Sequence, residues 1–417
     1  MTIQLQVERL YREDWGRILA SLIRMTGDFE LAEDVAQEGF TAAIEQWPRE
    51  GAPQNPRAWI IGTARHKAFD RIRRDARFDG KRRQIIEAHE NETAAALDDH
   101  GSSVPDDRLR LIFTCCHPAL SLDGQVALSL RTLCGLTTEE IARAFIVPSA
   151  TMAQRLVRAK RKIRIARIPY EIPPGDLLPE RLAAVMAVVY LVFNEGYAAS
   201  FGKALVRGDL CAEAIRLGRL LCELMPENRE ARGLLALMLL HDARRDARTD
   251  DSGEIVLLED QDRARWDRRK TAEGLQTAAL AMGADALGSY GIQAAIAAVH
   301  MRAARAAETD WPAIVSLYER LLKTDPSPVV ELNLAAAVAM AHGAEAGLII
   351  VDELIARDQL RDYHLLWSTR ADLLRRLCRW EEARQAYDMA LSLVSGAAER
   401  KFLERRLTEI RARLEPR

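Results

Sequence analysis

The residues best suited to chemistry are the basic side chains between Ser149 and Arg167, a stretch with seven Lys or Arg and no acidic residue. Arg and Gln can each make paired hydrogen bonds to guanine and adenine edges, whereas other cations bind phosphates without reading sequence. Apolar residues recur at helical spacing and predict a packed face: Met152, Leu156, Ala159 and Ile163. The opposite face is predicted to contact DNA through Thr151, Gln154, Arg155, Arg158 and Lys162.

A second group combines residue types that bind metals or undergo oxidation: Cys115, Cys116 and His117, with Cys134 further along. Adjacent residues on a helix point about 100° apart, so the two neighbouring thiols would chelate poorly. The paired CxxC spacing of zinc sites is also missing. Buried thiols that pack a core are the favoured interpretation; no metal is expected, and redox sensing stays open.

A third group places acidic and basic side chains on neighbouring helices. Asp34, Gln37 and Glu38 share one face at i, i+3, i+4 spacing. Between Arg65 and Arg83, nine Lys or Arg stand against three Asp, and Trp59 precedes them. An acidic helix beside a basic helix with an aromatic suits a protein that bridges another protein and a nucleic acid. By residue type alone, Trp59 could equally be a core aromatic, and the Asp34 face could be merely solvated.

The sequence also predicts the helices that position these groups. LAEDVAQEGFTAAIEQW carries the acidic face and is expected to turn five apolar residues toward a core: Leu31, Val35, Phe40, Ile44 and Trp47. Gly39 lies inside this helix, at a cost of about 1 kcal/mol relative to Ala. The basic helix opens at Pro56, a favourable residue near a helix start.

The segment around the basic face predicts a helix-turn-helix. Thr137 and Glu140 fit a capping box, the helix EEIARAF ends at Val147-Pro148, and Ser149 is expected to cap the next helix. Two helices joined by a tight turn, the second strongly basic, are typical of a motif that places its second helix in a major groove.

Composition favours an all-α protein: 15 prolines, abundant helix formers and a net charge of −2. Residues 1–167 carry 26 Lys or Arg against 23 Asp or Glu, whereas the remainder is net acidic. The sequence shows neither a signal peptide nor a run of 18 apolar residues, and six cysteines do not indicate a disulfide framework. A cytoplasmic location with no membrane partner is expected.

Four segments are predicted: a helical domain over 1–80, an acidic flexible linker over 81–106, a helix-turn-helix domain over 107–168 and a helical repeat domain over 169–417. The segment IPYEIPPGDLLPE forms a proline-rich joint before the last of these. WPAIVSLYERLL at Trp311 recurs 69 residues later as WEEARQAYDMAL at Trp380, with EAGLIIVDELI midway. A period of about 34 residues resembles degenerate tetratricopeptide repeats, and an irregular helical bundle is the alternative.

Two motifs in this last segment carry polar residues in unusual density. NEGY contributes Asn194, Glu195 and Tyr197, and EDQDRARW contributes Asp260, Gln261, Asp262, Arg263 and Trp266. They could line a pocket or contact an effector, although capping and inter-helix hydrogen bonds explain them about equally well. The sequence has no Gly-rich phosphate loop and no nucleophile elbow, so neither an enzyme nor a cofactor is expected.

Two of these segments resemble a known family. AEDVAQEGFTAA and NPRAWIIGTARHKAFDRIRRDAR resemble regions 2.2 to 2.4 of the extracytoplasmic-function (ECF) group of sigma-70 factors, and LTTEEIARAFIVPSATMAQRLVRAKRKI resembles their region 4.2. The run RLRLIFTCCHPALSLDGQVALSLRTLCGLT and the long tail are similar to a subgroup with a tetratricopeptide-like C-terminal extension.

The resemblance implies a sigma factor that binds the clamp and flap of core RNA polymerase and promoter DNA. It places Asp34, Gln37 and Glu38 at the clamp helices of the largest subunit, and the exposed face of the basic helix at the −35 element. It places Trp59, Arg65, His66, Asp70, Arg73 and Arg74 where the −10 element is opened and read. His66 departs from the usual Asn. A protein or small-molecule regulator is expected to act through the extension.

Two other functions remain open. One is a helix-turn-helix regulator that never joins polymerase, which would need no acidic face and basic aromatic helix in the first domain. The other is a repeat scaffold or enzyme with an incidental basic helix, which would lack salt-dependent affinity for DNA.

Overall fold

The structure, a computed structural model, describes residues 3–76, 104–145, 147–198, 208–250, 254–282, 287–394 and 396–414. It divides into two compact units, Met1–Val192 and Phe193–Arg417, called here the N-terminal and C-terminal units. In the described part of the chain, secondary structure is helical apart from one isolated antiparallel bridge between Thr249 and Ile255. The predicted all-α class is confirmed.

The N-terminal unit is built from short and medium helices. They are α1 (Ile3–Thr26), α2 (Phe29–Glu50), α3 (Pro56–Ala76), α4 (Val104–Cys115), α5 (Leu122–Thr132), α6 (Thr138–Ala144) and α7 (Ser149–Ile165). Helix α8 (Leu178–Ala198) begins in this unit, and its last residues belong to the C-terminal unit. Helix α1 packs on α2, α3 and α4, and α7 packs on α5 and α6. The elements that carry the predicted site, α2, α3 and α7, therefore share one unit.

In the C-terminal unit, each helix packs on the next one along the chain. Its helices are α9 (Gly208–Leu224), α10 (Arg229–Asp242), α11 (Arg268–Ala281), α12 (Ser289–Arg302), α13 (Trp311–Thr324), α14 (Pro328–His342), α15 (Ala344–Ala356), α16 (His364–Arg376), α17 (Trp380–Leu393) and α18 (Ala397–Leu414). Helices α13, α15 and α17 begin at Trp311, Ala344 and Trp380, close to the starts of the recurring sequence pattern. Each is followed by a second helix, so the pattern corresponds to three helix pairs. That these pairs are tetratricopeptide-like stays a prediction.

Helix α2 shows where the helical pattern succeeded and where it did not. Val35, Phe40 and Trp47 are buried as predicted, and Leu31 is partly buried. Ile44 was wrongly assigned to the core, because 54% of it is exposed. The buried stripe runs through Ala36, Phe40, Ala43 and Trp47, and the residue after Ala43 lies about 100° further round the helix.

Glycine permits two close approaches in the N-terminal unit. A Cβ on Gly39 would lie 3.2 Å from the Ile60 carbonyl oxygen, so the glycine allows α2 and α3 to pack closely. Gly135 follows α5 with φ of +73°, in the region that favours glycine, and a Cβ there would meet the Trp15 ring at 3.1 Å. The destabilising glycine inside α2 is therefore explained by packing.

The predicted linker over 81–106 lies outside the described residues except at its end, where Val104 already begins α4. The proline-rich joint and the start of α8 lie within the N-terminal unit. Tyr170 Oη donates to the carbonyl oxygens of Ala20 (2.9 Å) and Asp107 (3.0 Å), and Arg181 donates to the Phe113 carbonyl (2.6 Å). In the described part of the chain, no helix is both long and apolar enough to cross a membrane.

Candidate nucleic-acid interface

Helix α7 presents the face that its sequence predicts. Its buried residues are the four expected ones, Met152, Leu156, Ala159 and Ile163. Of the five candidate DNA-contacting residues, four are exposed and Arg155 is half-buried, 3.4 Å from the carboxylate of Asp123. The structure thus brings these five side chains onto one solvent-facing surface, and it carries no acidic residue on α7 itself.

Of the two helix caps predicted for the helix-turn-helix, the one on α6 is present and the one on α7 is not. The Thr137 amide donates to Glu140 Oε2 (2.7 Å), and the Glu140 amide donates to Thr137 Oγ1 (3.1 Å), which is a reciprocal capping box. The expected Ser149 cap is wrong. Ser149 is already the first helical residue, and Pro148 at the cap position offers no side-chain acceptor.

The predicted acidic face of α2 is paired with α3. Arg71 contacts both Asp34 (3.1 Å) and Glu38, and Lys67 contacts Glu38 (3.1 Å). Gln37, the third predicted residue of this face, is exposed. Lys67 and Arg71 were not singled out from the sequence. Lys67 and Arg71 are spaced i, i+4 on α3, the same spacing as Asp34 and Glu38 on α2. This matching spacing is the signal that would have found them.

The residues predicted to read the −10 element lie along α3. His66, Asp70, Arg73 and Arg74 are exposed and Arg65 is half-buried. Trp59 is half-buried and meets Trp47 edge to face, with ring centroids 5.4 Å apart. It is therefore partly a packing residue, as one of the two open interpretations held, with part of its ring still accessible.

A buried carboxylate on α2, which the sequence did not reveal, connects this helix with α5 and α7. Glu33 on α2 is 6% exposed and contacts both Arg131 at the end of α5 and Lys160 on α7. Burial opposes its ionisation, but the two cations and their hydrogen bonds prevail and lower the pKa of Glu33. We call Glu33, Arg131 and Lys160 the Glu33 cluster.

Further contacts hold α1 against the segments that follow the undescribed residues 77–103. Trp15 Nε1 donates to the Arg131 carbonyl (3.1 Å), and Arg24 contacts the buried carboxylate of Asp107 (2.9 Å). Together with the Glu33 cluster, these contacts fix the position of α7 relative to α2 and α3. The two predicted nucleic-acid surfaces are thus arranged on one packed body.

The cysteines of the second group pack a core, as the favoured interpretation predicted. Cys115 Sγ lies 3.1 Å from Thr132 Oγ1, and Cys116 Sγ lies 3.5 Å from Ser129 Oγ; both thiols are buried, as is Cys134. Burial raises the pKa of Cys116 to about 11 and that of Cys115 further. Thiols with raised pKa values are poor nucleophiles at neutral pH, which weighs against redox sensing at this position.

The two polar motifs of the C-terminal unit have different fates. Asp262 caps a short 3₁₀ turn by accepting from the Ala264 amide (2.9 Å), as the capping alternative proposed. Gln261 is buried and Trp266 is 7% exposed, whereas Asn194 is half-buried and Glu195 and Asp260 are exposed. Tyr197 and Arg263 lie near other basic side chains and are taken up below.

Comparisons with known proteins agree with this geometry. Sigma-70 region 2 matches residues 10–78, and sigma-70 region 4 matches residues 110–163. Residues 181–282 match a family of unknown function, DUF6596. An uncharacterized protein of Rhizobium meliloti (strain 1021) is 44% identical over 398 residues, which span 94% of this chain and 93% of that protein.

Two relatives with descriptive names match part of the chain. The probable ECF RNA polymerase sigma factor SigI of Mycobacterium tuberculosis is 27% identical over 171 residues, 41% of this chain and 58% of SigI. The ECF RNA polymerase sigma factor SigC of the same species is 28% identical over 162 residues, 35% of this chain and 80% of SigC.

The helix-turn-helix, the paired α2–α3 surface and both region matches define a sigma factor of RNA polymerase. The chain belongs to the sigma-70 family, in its ECF group, and carries a helical C-terminal extension that contains the DUF6596 match. Sigma factors are transcription initiation factors rather than enzymes, and their domains interact with core RNA polymerase and promoter DNA.

Proposed function

We propose that this chain binds core RNA polymerase and directs promoter-specific initiation by recognising the −35 and −10 elements and assisting promoter melting. The observation that carries the proposal is the surface of α7. Its four apolar residues are buried and its Arg, Lys, Gln and Thr side chains face solvent, the arrangement that a recognition helix needs to enter a major groove.

Each surface has a proposed role. Helix α7 binds the −35 element through Thr151, Gln154, Arg155, Arg158 and Lys162. Helix α3 binds the −10 element through Trp59, Arg65, His66, Asp70, Arg73 and Arg74, and a partly accessible aromatic beside cations supports stacking of an exposed base. Helix α2 contacts the clamp of the largest polymerase subunit through Asp34, Gln37 and Glu38, and the helix-turn-helix domain contacts the flap.

Promoter-specific transcription by the full chain with purified core polymerase tests the proposal. We expect a complex with core polymerase and discrete transcripts from a subset of genomic fragments. If the chain neither binds core polymerase nor supports initiation, the proposal is contradicted. DNA binding without any complex with polymerase would instead identify a helix-turn-helix regulator.

A matched pair of variants tests the role of α7. Arg158→Gln removes an exposed cation from the proposed recognition surface, and Arg9→Gln removes one from helix α1, outside that surface. We expect Arg158→Gln to weaken DNA binding by about 1–3 kcal/mol if it reads a base, or to reduce the salt slope by about one if it binds a phosphate. Equal effects of both variants would count against a recognition role for α7.

We further propose that the C-terminal extension regulates the sigma modules, in response to a protein or small-molecule regulator. A chain ending at Val192 is the appropriate truncation, because Tyr170 and Arg181 hydrogen-bond within the N-terminal unit. We expect transcription by the truncated chain to differ from that of the full chain in rate or promoter choice. Identical transcription by both would remove the regulatory role.

A further inference from the structure

The motifs NEGY and EDQDRARW both lie near basic residues at the end of α10. Arg244 Nη2 donates to Tyr197 Oη (3.2 Å), and His241 Nδ1 lies 3.3 Å from the same oxygen. The Arg248 guanidinium stacks 3.5 Å from the centre of the Tyr197 ring. Arg244 also acts electrostatically on Arg263 and His300. We call Arg244, Arg263, His241 and His300 the basic cluster.

The two guanidiniums of this cluster are held by neutral groups. Arg263 Nε donates to the Ala303 carbonyl (3.0 Å), and its guanidinium lies 4.8 Å from the centre of the Trp266 ring. Within the described ranges, neither Arg244 nor Arg263 forms an ion pair with a carboxylate. Removing a cation from water costs free energy that a carboxylate contact usually offsets, and the described residues give these two guanidiniums no such contact.

The pKa values of Arg263 and His300 are both lowered, in agreement with this arrangement. Burial and the charge of Arg244 lower the pKa of Arg263, while Glu308 opposes this only in part. Glu308 itself is bound to Arg305 (2.7 Å). Burial and the two arginines also lower the pKa of His300 to about 4, so its imidazole is neutral at pH 7 and can donate or accept one hydrogen bond.

The basic cluster opens onto a cavity of about 630 Å³ in the C-terminal unit, with Arg263 and His300 in its wall. The rest of the wall is mostly apolar and includes Ile314, Tyr318, Leu373 and Phe402. This volume lies within the range of small-molecule sites, and so does the combination of an apolar wall with a few polar groups at one place.

The carboxylates that line the same cavity have their charge offset. Arg376 contacts Asp372 (2.7 Å) and Glu259 (3.7 Å). Glu399 lies in the first turn of α18, where the helix N-terminus favours a negative charge. In the described part of the wall, Arg263 is therefore the arginine without a carboxylate contact, whereas Arg376 has two, and an anion from outside would supply one.

We propose that this cavity binds a small amphiphilic carboxylate. Its anionic group sits at Arg263 and His300, with Arg244 behind them, and its hydrocarbon body lies against Ile314, Tyr318, Leu373 and Phe402. The proposal names a chemical class for the regulator of the extension and so rests in part on the regulatory role. Binding is nevertheless measured without polymerase or DNA, so either conclusion can fail while the other stands.

Calorimetric titration of the full chain with three probes tests the chemistry. Decanoate supplies charge and hydrocarbon, decanol the same hydrocarbon without charge, and acetate the charge alone. We expect saturable binding of one decanoate per chain, with a rise in melting temperature. Decanol should bind at least tenfold more weakly and acetate should not bind measurably. Absence of decanoate binding, equal affinity for decanol, or equal affinity for acetate each overturns the proposal.

Variants place the binding in this cavity. Arg263→Gln should weaken decanoate binding at least tenfold and leave decanol binding unchanged, which also shows that the variant folds. Ala336→Trp fills the cavity from an exposed position on α14 and should weaken both ligands. Arg320→Gln, an exposed cation on α13 outside the wall, is the control. The proposal is overturned if Arg263→Gln binds decanoate with the affinity of the unaltered chain. If Arg263→Gln does not fold, the same result in Ala336→Trp overturns it.

Discussion

The two units of this sigma factor each contain a cluster of charges removed from solvent, and the clusters differ in completeness. In the N-terminal unit, Glu33 meets two cations, Arg131 and Lys160, which come from two other helices. In the C-terminal unit, Arg244 and Arg263 are held by a phenol and a backbone carbonyl. The first cluster satisfies its charges internally and holds helices together, whereas the second leaves a charge facing a cavity. Charge balance thus separates a structural cluster from a candidate binding site.

The largest expected effect is at the Glu33 cluster. Glu33→Gln leaves two cations near a neutral amide, and breaking a buried pair by removing one partner typically costs about 3–5 kcal/mol. We expect a loss of about 3 kcal/mol in the N-terminal unit, because the amide oxygen still accepts one hydrogen bond. Hydrogen exchange of amides in α2 and α7 measures it. Glu13→Gln, at an exposed pair with Arg9, is the control and should change stability by less than about 0.5 kcal/mol.

The same carboxylate predicts a pH dependence. Because the folded-state pKa of Glu33 lies below its ordinary value of 4.5, its contribution is fully present above that value and is lost as pH falls through the folded pKa. We expect the N-terminal unit to lose stability below about pH 4.5, and Glu33→Gln to lose less over the same interval. Parallel curves for the two proteins in acid unfolding would count against an ionised Glu33.

A smaller effect is expected at the basic cluster. Arg244→Gln removes a hydrogen bond to Tyr197 but also relieves repulsion with Arg263, so the two changes offset each other. We expect the C-terminal unit to lose about 1 kcal/mol or less. Hydrogen exchange of α10 measures this loss. A loss as large as that of Glu33→Gln would show that Arg244 is part of a satisfied structural cluster, and the contrast between the units would fail.

The smallest stability effect is expected at the surface pairs of α2 and α3. Asp34 is 62% exposed and contacts Arg71, and such pairs contribute about 0–1 kcal/mol. Asp34→Asn should therefore change stability by less than about 0.5 kcal/mol while weakening the proposed binding to core polymerase severalfold. Affinity measured with purified core polymerase tests this, with Glu8→Gln on α1 as the control. Unchanged affinity would remove Asp34 from the proposed docking surface.

Sequence reasoning worked best where one helix decides the outcome. The buried residues of α7 and the capping box of Thr137 and Glu140 were both confirmed, because each depends on spacing within a few residues. It failed at Ile44 and Ser149. An apolar side chain one step off the buried stripe, or a hydroxyl one residue inside a helix, looks the same in sequence as a correctly placed one. The site roles assigned from the family resemblance stay predictions.

By itself, the sequence determined the all-helical class, the order of the two sigma regions, the basic face of α7 and the period of the C-terminal helices. Tertiary structure decided that Gly39 lets α2 approach α3, that Glu33 reaches Arg131 across 98 residues of sequence, and that Tyr197 lies against Arg244. The physical reason is one of range. Periodicity and capping are set by neighbours along the chain, whereas the partner of a buried charge is set by which helices pack together.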